Sequence, residues 1–209
     1  MKAMFVCFLN LVVILDFFSQ DSVAEYYNEI ACKAEYSVDG DTSSYHPRRW
    51  KKDIKIFVKG TTDSVICSEL EKVVSELNEL IATIEIKITD IESEANLLAF
   101  FGWFIDYDKI EPVAEPFTAK NYGLSCVYSD ANNDNYKGSF YVDVVRSGWF
   151  SGEESNILKK HILREELTQS LGLLNDSMKY PDSIFYENWS LVTEFSELDK
   201  EIIRRHYRN

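Results

Sequence analysis

The chain has 209 residues, with 22 Lys plus Arg against 35 Asp plus Glu, which gives a formal net charge of −13. Its 45% of apolar residues and 14% of aromatic residues can form a buried core, which excludes disorder as the main state. The excess of acid argues against a nucleic-acid partner, because such proteins need a basic surface to replace phosphate counterions. We therefore expect a single domain once a leader is removed.

Residues 1–24 have the features of a secretory signal peptide, which leaves 25–209 as the mature domain. Lys2 gives a positive start, residues 4–15 are apolar apart from Asn10, and Ser22 and Ala24 are the small residues required for cleavage after Ala24. The apolar run is shorter than a membrane span of about 20 residues, and no second run of that length follows. We expect secretion, or export to the periplasm or cell envelope, with an uncleaved N-terminal anchor as the alternative.

Cleavage would leave three cysteines, an odd number, so in an oxidising compartment one pair can close and one thiol stays free. The sequence does not say which two of Cys32, Cys67 and Cys126 would pair. Their spacing fits no zinc-binding or redox motif.

Hydrophobic periodicity predicts the secondary structure. Apolar and charged residues alternate in 54–58 and 84–88, and the runs 124–128 and 139–145 also have the character of strands. Residues 97–104 are expected to form a strand or a buried turn, 25–50 a short strand or an extended arm, and 105–123 irregular or weakly helical structure. Helical spacing covers Ser64–Ile81 and Glu153–Leu171. This order predicts an α+β fold in which a mixed sheet packs against two long helices.

Residues 130–135 are rich in Asp and Asn and raise the question of a calcium loop. An EF-hand loop that starts at Asp130 needs Gly at its sixth place and Glu at its twelfth, where this chain has Asn135 and Tyr141. We therefore predict a hairpin turn here.

The most informative segment is the end of the second long helix. Glu165 and Gln169 are four residues apart and share one helix face, which His161 extends by one more turn. Gly172 allows a sharp turn where the helix stops, after which Asn175 or Asp176 can fold back toward Gln169.

This pattern resembles the zincin metalloprotease helix, in which two His four residues apart flank a general-base Glu and are followed by a Gly and a third ligand. On that template Glu165 takes the first His place, Glu166 the catalytic Glu place and Gln169 the second His place. Gly172 matches the Gly, and Asn175 takes the place of the third ligand.

The downstream sequence is similar as well. Residues 182–186 resemble the segment around the Met-turn of metzincins, with Phe185 where Met would be, and Ser196 to Asp199 resembles the cap of their closing C-terminal helix. From His161 to Tyr207 the chain most resembles the uncharacterised bacterial domain-of-unknown-function family 2927. That family has Glu-Glu-Leu-x-Gln, Leu-Gly-Leu-x-Asn-Asp and Ser-Ile-Phe, all of which are present here. The resemblance implies a zincin-like fold.

The chain departs from active zincins at the ligand positions, and this changes which metal we expect it to bind. Catalytic zinc prefers imidazole or thiolate with at most one carboxylate, so Glu165 and Gln169 make conventional zinc unfavourable. Oxygen groups from these two residues and Asn175 or Asp176 would suit a hard divalent cation if any, with His161 one turn away. No cofactor is certain. Glu166 keeps the general-base place, although a base without a metal-activated water loses much of its purpose.

Each residue also has a structural interpretation. Glu165 and Gln169 could form a buried hydrogen-bonded pair, and Glu166 could be solvated or paired with Arg164. His161 could serve packing alone. Two further interpretations concern groups: Asn175 and Asp176 cap the turn after Gly172, and Phe185, Tyr186 and Trp189 belong to the core.

Three functions follow from these interpretations. The first is a degenerate, catalytically inactive zincin-like domain that binds a peptide or protein partner along its edge strand. The second is an atypical metal-dependent or Glu-based hydrolase in which Glu166 is the general base. The third is a structural interaction protein of the cell envelope or the secreted fraction.

Overall fold

The computed structural model describes residues 20–36, 46–61 and 63–208. Most of the expected signal segment therefore lies outside the described residues. The helices are α1 (Gln20–Ala31), α2 (Ser64–Leu80), α3 (Phe104–Ile110), α4 (Glu115–Thr118), α5 (Val144–Ser147), α6 (Gly152–Gln169) and α7 (Glu197–Tyr207). The strands are β1 (Arg49–Trp50), β2 (Ile54–Gly60), β3 (Ile86–Thr89), β4 (Leu97–Gly102), β5 (Gly123–Ser129) and β6 (Asp134–Asp143). Short 3₁₀ helices occupy Glu92–Glu94 and Pro112–Ala114.

The sheet is mixed, as the sequence predicts. Its order is β1-β6-β4-β2-β3 with parallel pairing throughout, and β5 joins β6 in the antiparallel direction. Among the described residues β5 pairs with β6 alone, so β5 is an edge strand whose second side faces away from the sheet. Helices α2 and α6 contact each other and the sheet, which confirms the predicted packing of two long helices.

Local signals explain why these elements form where they do. Ile54 and Ile56 of β2 are fully buried in the core, while Lys55 between them is less buried. Asp63 caps α2, because its side chain accepts a 2.9 Å hydrogen bond from the N–H of Val65. Ser196 and Asp199 form a capping box at the start of α7, which confirms the predicted cap of the closing helix.

The expectation of a short strand or extended arm in 25–50 was wrong for its first part. Helix α1 occupies Gln20–Ala31, and Tyr26 and Ile30 on one of its faces are buried in the main core. Tyr27 on the same helix reaches His206 of α7 across 3.2 Å. The expected cleavage point after Ala24 lies within this helix.

A buried ion pair joins the two long helices. Arg164 of α6 is fully buried, donates a 2.9 Å hydrogen bond to Glu69 of α2 and also binds Glu76. Its guanidinium lies 4.5 Å from the ring centre of Phe195. This pairing fixes α6 against α2 and leaves Arg164 bound to α2 rather than to Glu166.

Residues 130–134 form the predicted hairpin turn between β5 and β6. The Asp130 carboxylate accepts hydrogen bonds from the N–H groups of Asn132 (2.8 Å) and Asp134 (3.0 Å), so its own turn satisfies it. Asn133 adopts a left-handed conformation with φ of 63°.

Two further observations bear on the sequence expectations. Cys32, Cys67 and Cys126 are free thiols in the structure. Within 20–36, 46–61 and 63–208, no helix has the length and apolar character needed to cross a membrane.

Candidate functional site

The turn that ends α6 is fixed by close backbone contacts. Gly172 has φ of +108°, and a Cβ placed on it would lie 1.9 Å from the carbonyl oxygen of Arg48. His206 Nε2 lies 2.9 Å from the same oxygen and 3.3 Å from the carbonyl oxygen of Leu171. Burial lowers the pKa of His206 to about 4, so the ring is neutral at neutral pH. Only glycine fits here, and the chain turns back toward α6.

The returning chain meets the last turn of α6. Gln169 Nε2 donates a 2.8 Å hydrogen bond to Oδ1 of Asp176, which is the fold-back expected from the sequence. Asn175 instead turns its side-chain amide to the carbonyl of Asp176, and its own N–H binds the carbonyl of Ile30. A second backbone bond joins Glu35 N–H to the carbonyl of Leu174 at 3.0 Å. The segment after α1 is therefore held beside the return loop.

These contacts enclose a cavity of about 180 Å³, which we call the acidic pocket. Five carboxyl groups line it: Glu35, Glu165, Glu166, Asp176 and Glu187. The lining also holds Gln169, His161 and one lysine, the exposed Lys120. The five acidic residues come from three chain segments, namely the loop after α1, the end of α6 and the loop that follows α6.

Burial and mutual repulsion raise the pKa values of three pocket carboxyl groups, those of Glu165, Glu166 and Asp176. The pKa of Glu165 lies well above its usual value, first because the group is buried and then because of Asp176, Glu166 and Glu35. Burial, Glu35 and Asp176 raise the pKa of Glu166 in the same way. The pKa of Asp176 is raised by burial and Glu35, while the bond from Gln169 acts in the opposite direction. These groups hold protons at a pH where exposed carboxyl groups are ionised.

Glu166 is the most buried of the five acidic residues that line the pocket. It is 5% exposed, and among the described residues its Oε2 atom has no hydrogen-bond partner. A Cβ on Gly123 would lie 2.5 Å from Oε1 of Glu166, so the glycine makes room for this side chain. The interpretations of Glu166 as a solvated residue or as a partner of Arg164 were wrong, because α6 turns it into the pocket.

His161 lies beside the same carboxyl groups but carries no charge. Its Nδ1 lies 2.7 Å from the carbonyl of Val192, and since a carbonyl only accepts, Nδ1 is the donor. Nε2 then faces Glu165 Oε2 at 3.5 Å with its lone pair. Burial lowers the pKa of His161, so it does not neutralise the acidic pocket.

A larger cavity of about 380 Å³ runs along the edge strand, and we call it the β5 groove. Residues 124–128 form one wall, and Ala34, Tyr36, Val113, Phe117 and Leu174 are among the others. Glu35 and Gln169 line both cavities, so the β5 groove and the acidic pocket meet. Burial raises the pKa of the Cys126 thiol in this wall to about 12, which keeps it protonated.

Aromatic rings stand at the outer side of the acidic pocket. Trp189 is 57% exposed and stacks on Phe150 at 5.7 Å, with Tyr122 edge-on to it at 6.1 Å. The Arg146 guanidinium carbon lies 5.0 Å from the ring centre of Tyr122. The same guanidinium donates hydrogen bonds to the carbonyls of residues 118, 119 and 121. The assignment of Trp189 to the core was wrong, whereas Phe185 is fully buried as expected.

Comparison with known proteins places the fold. The model of a family described as "Protein of unknown function (DUF2927)" matches residues 20–209. The chain belongs to the DUF2927 family. This confirms the resemblance found in the sequence. No curated protein matches this DUF2927 chain.

Solved structures of zincin-like metallopeptidases are similar to the DUF2927 chain. A crystal structure of myroilysin has a TM-score of 0.50 at 13% identity, over 87% of this chain and 92% of that one. A second myroilysin structure has 0.46 at 12%, over 77% and 96%. Archaemetzincin from Methanopyrus kandleri has 0.45 at 11%, over 77% and 97%. The fold is zincin-like, as the sequence predicts, and at these identities the likeness concerns the fold alone.

The site residues expected from the sequence do not all meet in this DUF2927 chain. Glu165, Glu166, Gln169, His161 and Asp176 line the acidic pocket together. Asn175 is not part of that lining. The expected pair between Glu165 and Gln169 was also wrong, because Gln169 binds Asp176 and lies 3.5 Å from Ser125 Oγ of β5.

Sequence reasoning missed two acids and an aromatic residue of the site. Glu35 lies in a loop 130 positions before Glu165, and Glu187 follows the return loop, so neither shares a motif with α6. Tyr122 lies in a segment expected to be irregular. Their shared location depends on tertiary contacts, although the unusual acid content of the chain was a general signal.

Conventional zinc does not fit this DUF2927 site. The two helix places hold a carboxyl group and an amide, and the Gln169 amide is already bonded to Asp176 and turned toward Ser125. The Asn175 amide at the third place is bonded to the Asp176 carbonyl. Zinc prefers nitrogen and sulfur ligands, which these positions do not supply. Among the described residues, no three His, Cys, Asp or Glu side chains are arranged to hold a metal ion.

Proposed function

We propose that this protein is an exported zincin-like domain that binds a peptide or a protein segment and lacks conventional zinc protease activity. The peptide lies extended in the β5 groove and adds a strand to the edge of the sheet. The observation that carries the proposal is the cavity of about 380 Å³ along the outer side of an edge strand.

The backbone of β5 offers the hydrogen bonds that strand addition needs. Asp143 N–H donates a 2.7 Å bond to the carbonyl of Tyr122, just before β5 begins. Bonded residues alternate along an antiparallel pair, so the even-numbered residues of β5 bond to β6. The backbone groups of Ser125 and Val127 then point away from β6, and both residues line the β5 groove. An extended peptide can pair with them.

The composition of the groove suits a peptide better than a polar small molecule. Apolar and aromatic side chains from four segments surround the strand, including Tyr36, Val113, Phe117 and Leu124. Such walls give pockets for alternate side chains, while the backbone bonds supply sequence-independent affinity.

Binding is tested with a capped, fluorescently labelled peptide of alternating Val and Thr, residues that favour the extended conformation. Val127→Pro removes an outward N–H without removing a bond to β6, and proline is tolerated at such edge positions. Val127→Ala trims the side chain and keeps the N–H, so it is the matched control. We expect wild type and Val127→Ala to bind and Val127→Pro to lose most of the affinity.

The circular dichroism spectrum of Val127→Pro checks its fold. If that variant does not fold, hydrogen exchange on the wild type replaces it, and the peptide should slow exchange at Ser125 and Val127. Equal binding by folded Val127→Pro, or no protection of these two amides, contradicts strand addition.

A second candidate function is a hydrolase in which Glu166 transfers a proton. The observation that favours it is the buried Glu166 carboxyl group with a free Oε2 atom and a raised pKa beside a cleft. Such a group donates a proton below its pKa and accepts one only above it. If a divalent cation takes part, a hard one suits these oxygens better than zinc.

The hydrolase candidate is tested by activity rather than by affinity. Glu166→Gln should abolish cleavage of a peptide library if Glu166 transfers the proton, at every pH and with every added cation. Persistent cleavage by Glu166→Gln excludes that role, and binding without cleavage in the wild type favours the first proposal.

Export is the remaining part of the proposal and is supported by residues 1–24 of the sequence. Fractionation of cells that produce the full chain tests it. We expect a shortened chain outside the cytoplasm that begins at residue 25, whereas a full-length cytoplasmic chain contradicts export.

A further inference from the structure

We propose that the acidic pocket receives one basic side chain, Lys or Arg, of the peptide bound along β5. This inference rests on the proposed function and names the side chain that the peptide must carry. Glu35 and Gln169 line both the groove and the pocket, so a residue of the bound peptide can reach from one into the other.

Among the described residues that line the acidic pocket, Lys120 is the one cationic side chain, so the buried carboxyl groups keep raised pKa values until a positive group reaches them. Five carboxyl groups line the pocket against this single exposed ammonium group. His161 is neutral because burial lowers its pKa, and Arg164 on the same helix is bound to Glu69 and Glu76. A ligand that brings a positive charge removes the repulsion between these carboxyl groups.

A second observation points to a ligand independently of the number of acids. Glu166 is 95% buried and lines the pocket, and its Oε2 atom has no hydrogen-bond partner within the described part of the chain. An unpaired buried acceptor costs stability until a donor reaches it. An ammonium or guanidinium group supplies donors and charge together, and such bonds are stronger than neutral ones.

The rim suits the apolar part of a basic side chain. Lysine and arginine carry long aliphatic stems that pack on apolar surfaces while the charged end reaches further. Trp189, 57% exposed, and Tyr122 line the pocket and offer ring surfaces to such a stem or to the cation itself.

A basic side chain fits these groups better than a metal ion. Among the described residues no three acids or histidines are arranged around one metal position. An ammonium group on a flexible stem needs no fixed coordination geometry and can choose among Glu165, Glu166 and Asp176. The net charge of −13 also attracts a basic peptide over longer distances.

The experiment compares capped Val/Thr peptides in which one position holds Lys, Arg, norleucine or Glu. The comparison is repeated with that position placed at each point along the peptide. A chelator is present throughout. On wild type we expect Lys or Arg to bind at least about tenfold more tightly than norleucine at one position, which corresponds to about 1.4 kcal/mol. A further peptide without basic side chains but with a free α-amino group separates an N-terminal ammonium from a side chain.

The variant Glu166→Gln keeps the shape of the side chain and removes its ability to ionise when a cation binds. We expect it to reduce the preference for Lys over norleucine to less than about threefold. Glu153→Gln, an exposed change at the start of the same helix, should keep the full preference. Should Glu166→Gln fail to fold, the wild-type ranking of Lys, norleucine and Glu peptides decides instead.

The outcomes separate this inference from the proposed function. Equal binding of Lys and norleucine peptides, with loss of both in Val127→Pro, overturns the basic side chain and keeps strand addition. Tighter binding of the free α-amino peptide than of the Lys peptide also overturns the inference. Failure of every peptide to bind contradicts the proposed function itself.

Discussion

The side-chain amide of Gln169 donates a 2.8 Å hydrogen bond to the carboxyl group of Asp176 and thereby joins the end of α6 to the return loop. In the zincin helix that this segment resembles, the place of Gln169 holds an imidazole for the metal. Here the amide stabilises the loop and lies where the acidic pocket and the β5 groove meet, since Gln169 lines both. The same position has a structural use that needs no metal.

Replacing this amide should loosen the return loop. Gln169→Ala leaves the Asp176 carboxyl group without its donor in a partly buried position, which we expect to cost about 1–3 kcal/mol of unfolding free energy. Urea unfolding measures the cost, and limited proteolysis between residues 173 and 196 reports the loop. An unchanged midpoint with unchanged proteolysis contradicts a stabilising role for the bond.

The carboxyl groups of the acidic pocket should make the fold less stable as the pH rises. The folded pKa of Glu165 lies above its unfolded value of about 4.5, because of burial and the neighbouring carboxyl groups. Below pH 4.5 both states are protonated and the contribution is full. As the pH rises above 4.5, the unfolded state ionises first, so stability is lost toward the raised folded pKa.

Glu165→Gln removes one of these ionisations. We expect its melting temperature to equal that of the wild type near pH 4.5 and to exceed it at pH 8, where a gain of about 1 kcal/mol is about 2–4 °C. The exposed change Glu153→Gln should follow the wild type at both values. A Glu165→Gln protein that is less stable at pH 8 than the wild type contradicts the repulsion.

Gly172 should be irreplaceable even by alanine. Its left-handed backbone alone costs a non-glycine residue about 1–3 kcal/mol, and the new Cβ would meet the Arg48 carbonyl at 1.9 Å. Gly152 is the matched control, since it has φ of +53° and no atom within 4 Å of its Cβ position. We expect Gly172→Ala to lose much more stability in urea than Gly152→Ala. Equal losses contradict the close backbone approach.

The ion pair between α2 and α6 should be costly to break. Arg164→Ala leaves Glu69, itself 5% exposed, as an uncompensated buried charge, which we expect to cost about 3–5 kcal/mol. Lys109→Ala breaks an exposed pair with Asp106 and should cost less than about 1 kcal/mol. Chemical denaturation of both variants measures the contrast, and similar small losses contradict a structural role for Arg164.

The parts of the fold that the sequence predicted depend on local signals. The alternation around Ile54 and Ile56 determines β2. Asp63 caps the N-terminus of α2, and the capping box of Ser196 and Asp199 begins α7. Helix α1 was missed because its first residues overlap the expected signal segment, where apolar residues have another explanation. Its buried face becomes apparent only when α7 lies beside it.

The candidate site was predictable only in part for a related reason. Glu165, Glu166 and Gln169 lie on one helix, so their spacing revealed them, and Gly172 indicated the turn that returns Asp176. Glu35 and Glu187 join the pocket through loops whose positions are set by tertiary contacts. The orientation of Glu166 into the pocket depends on the space beside Gly123 and on Arg164 facing α2, neither of which the motif contains.

Hydrogen exchange of the β5 amides, measured with the Lys-containing peptide in the presence of a chelator, tests the central claim most directly. We predict slower exchange at Ser125 and Val127 when the peptide is added, with no metal present. No slowing in β5, or slowing that requires added zinc, would contradict a zincin-like domain that binds its peptide by strand addition without zinc.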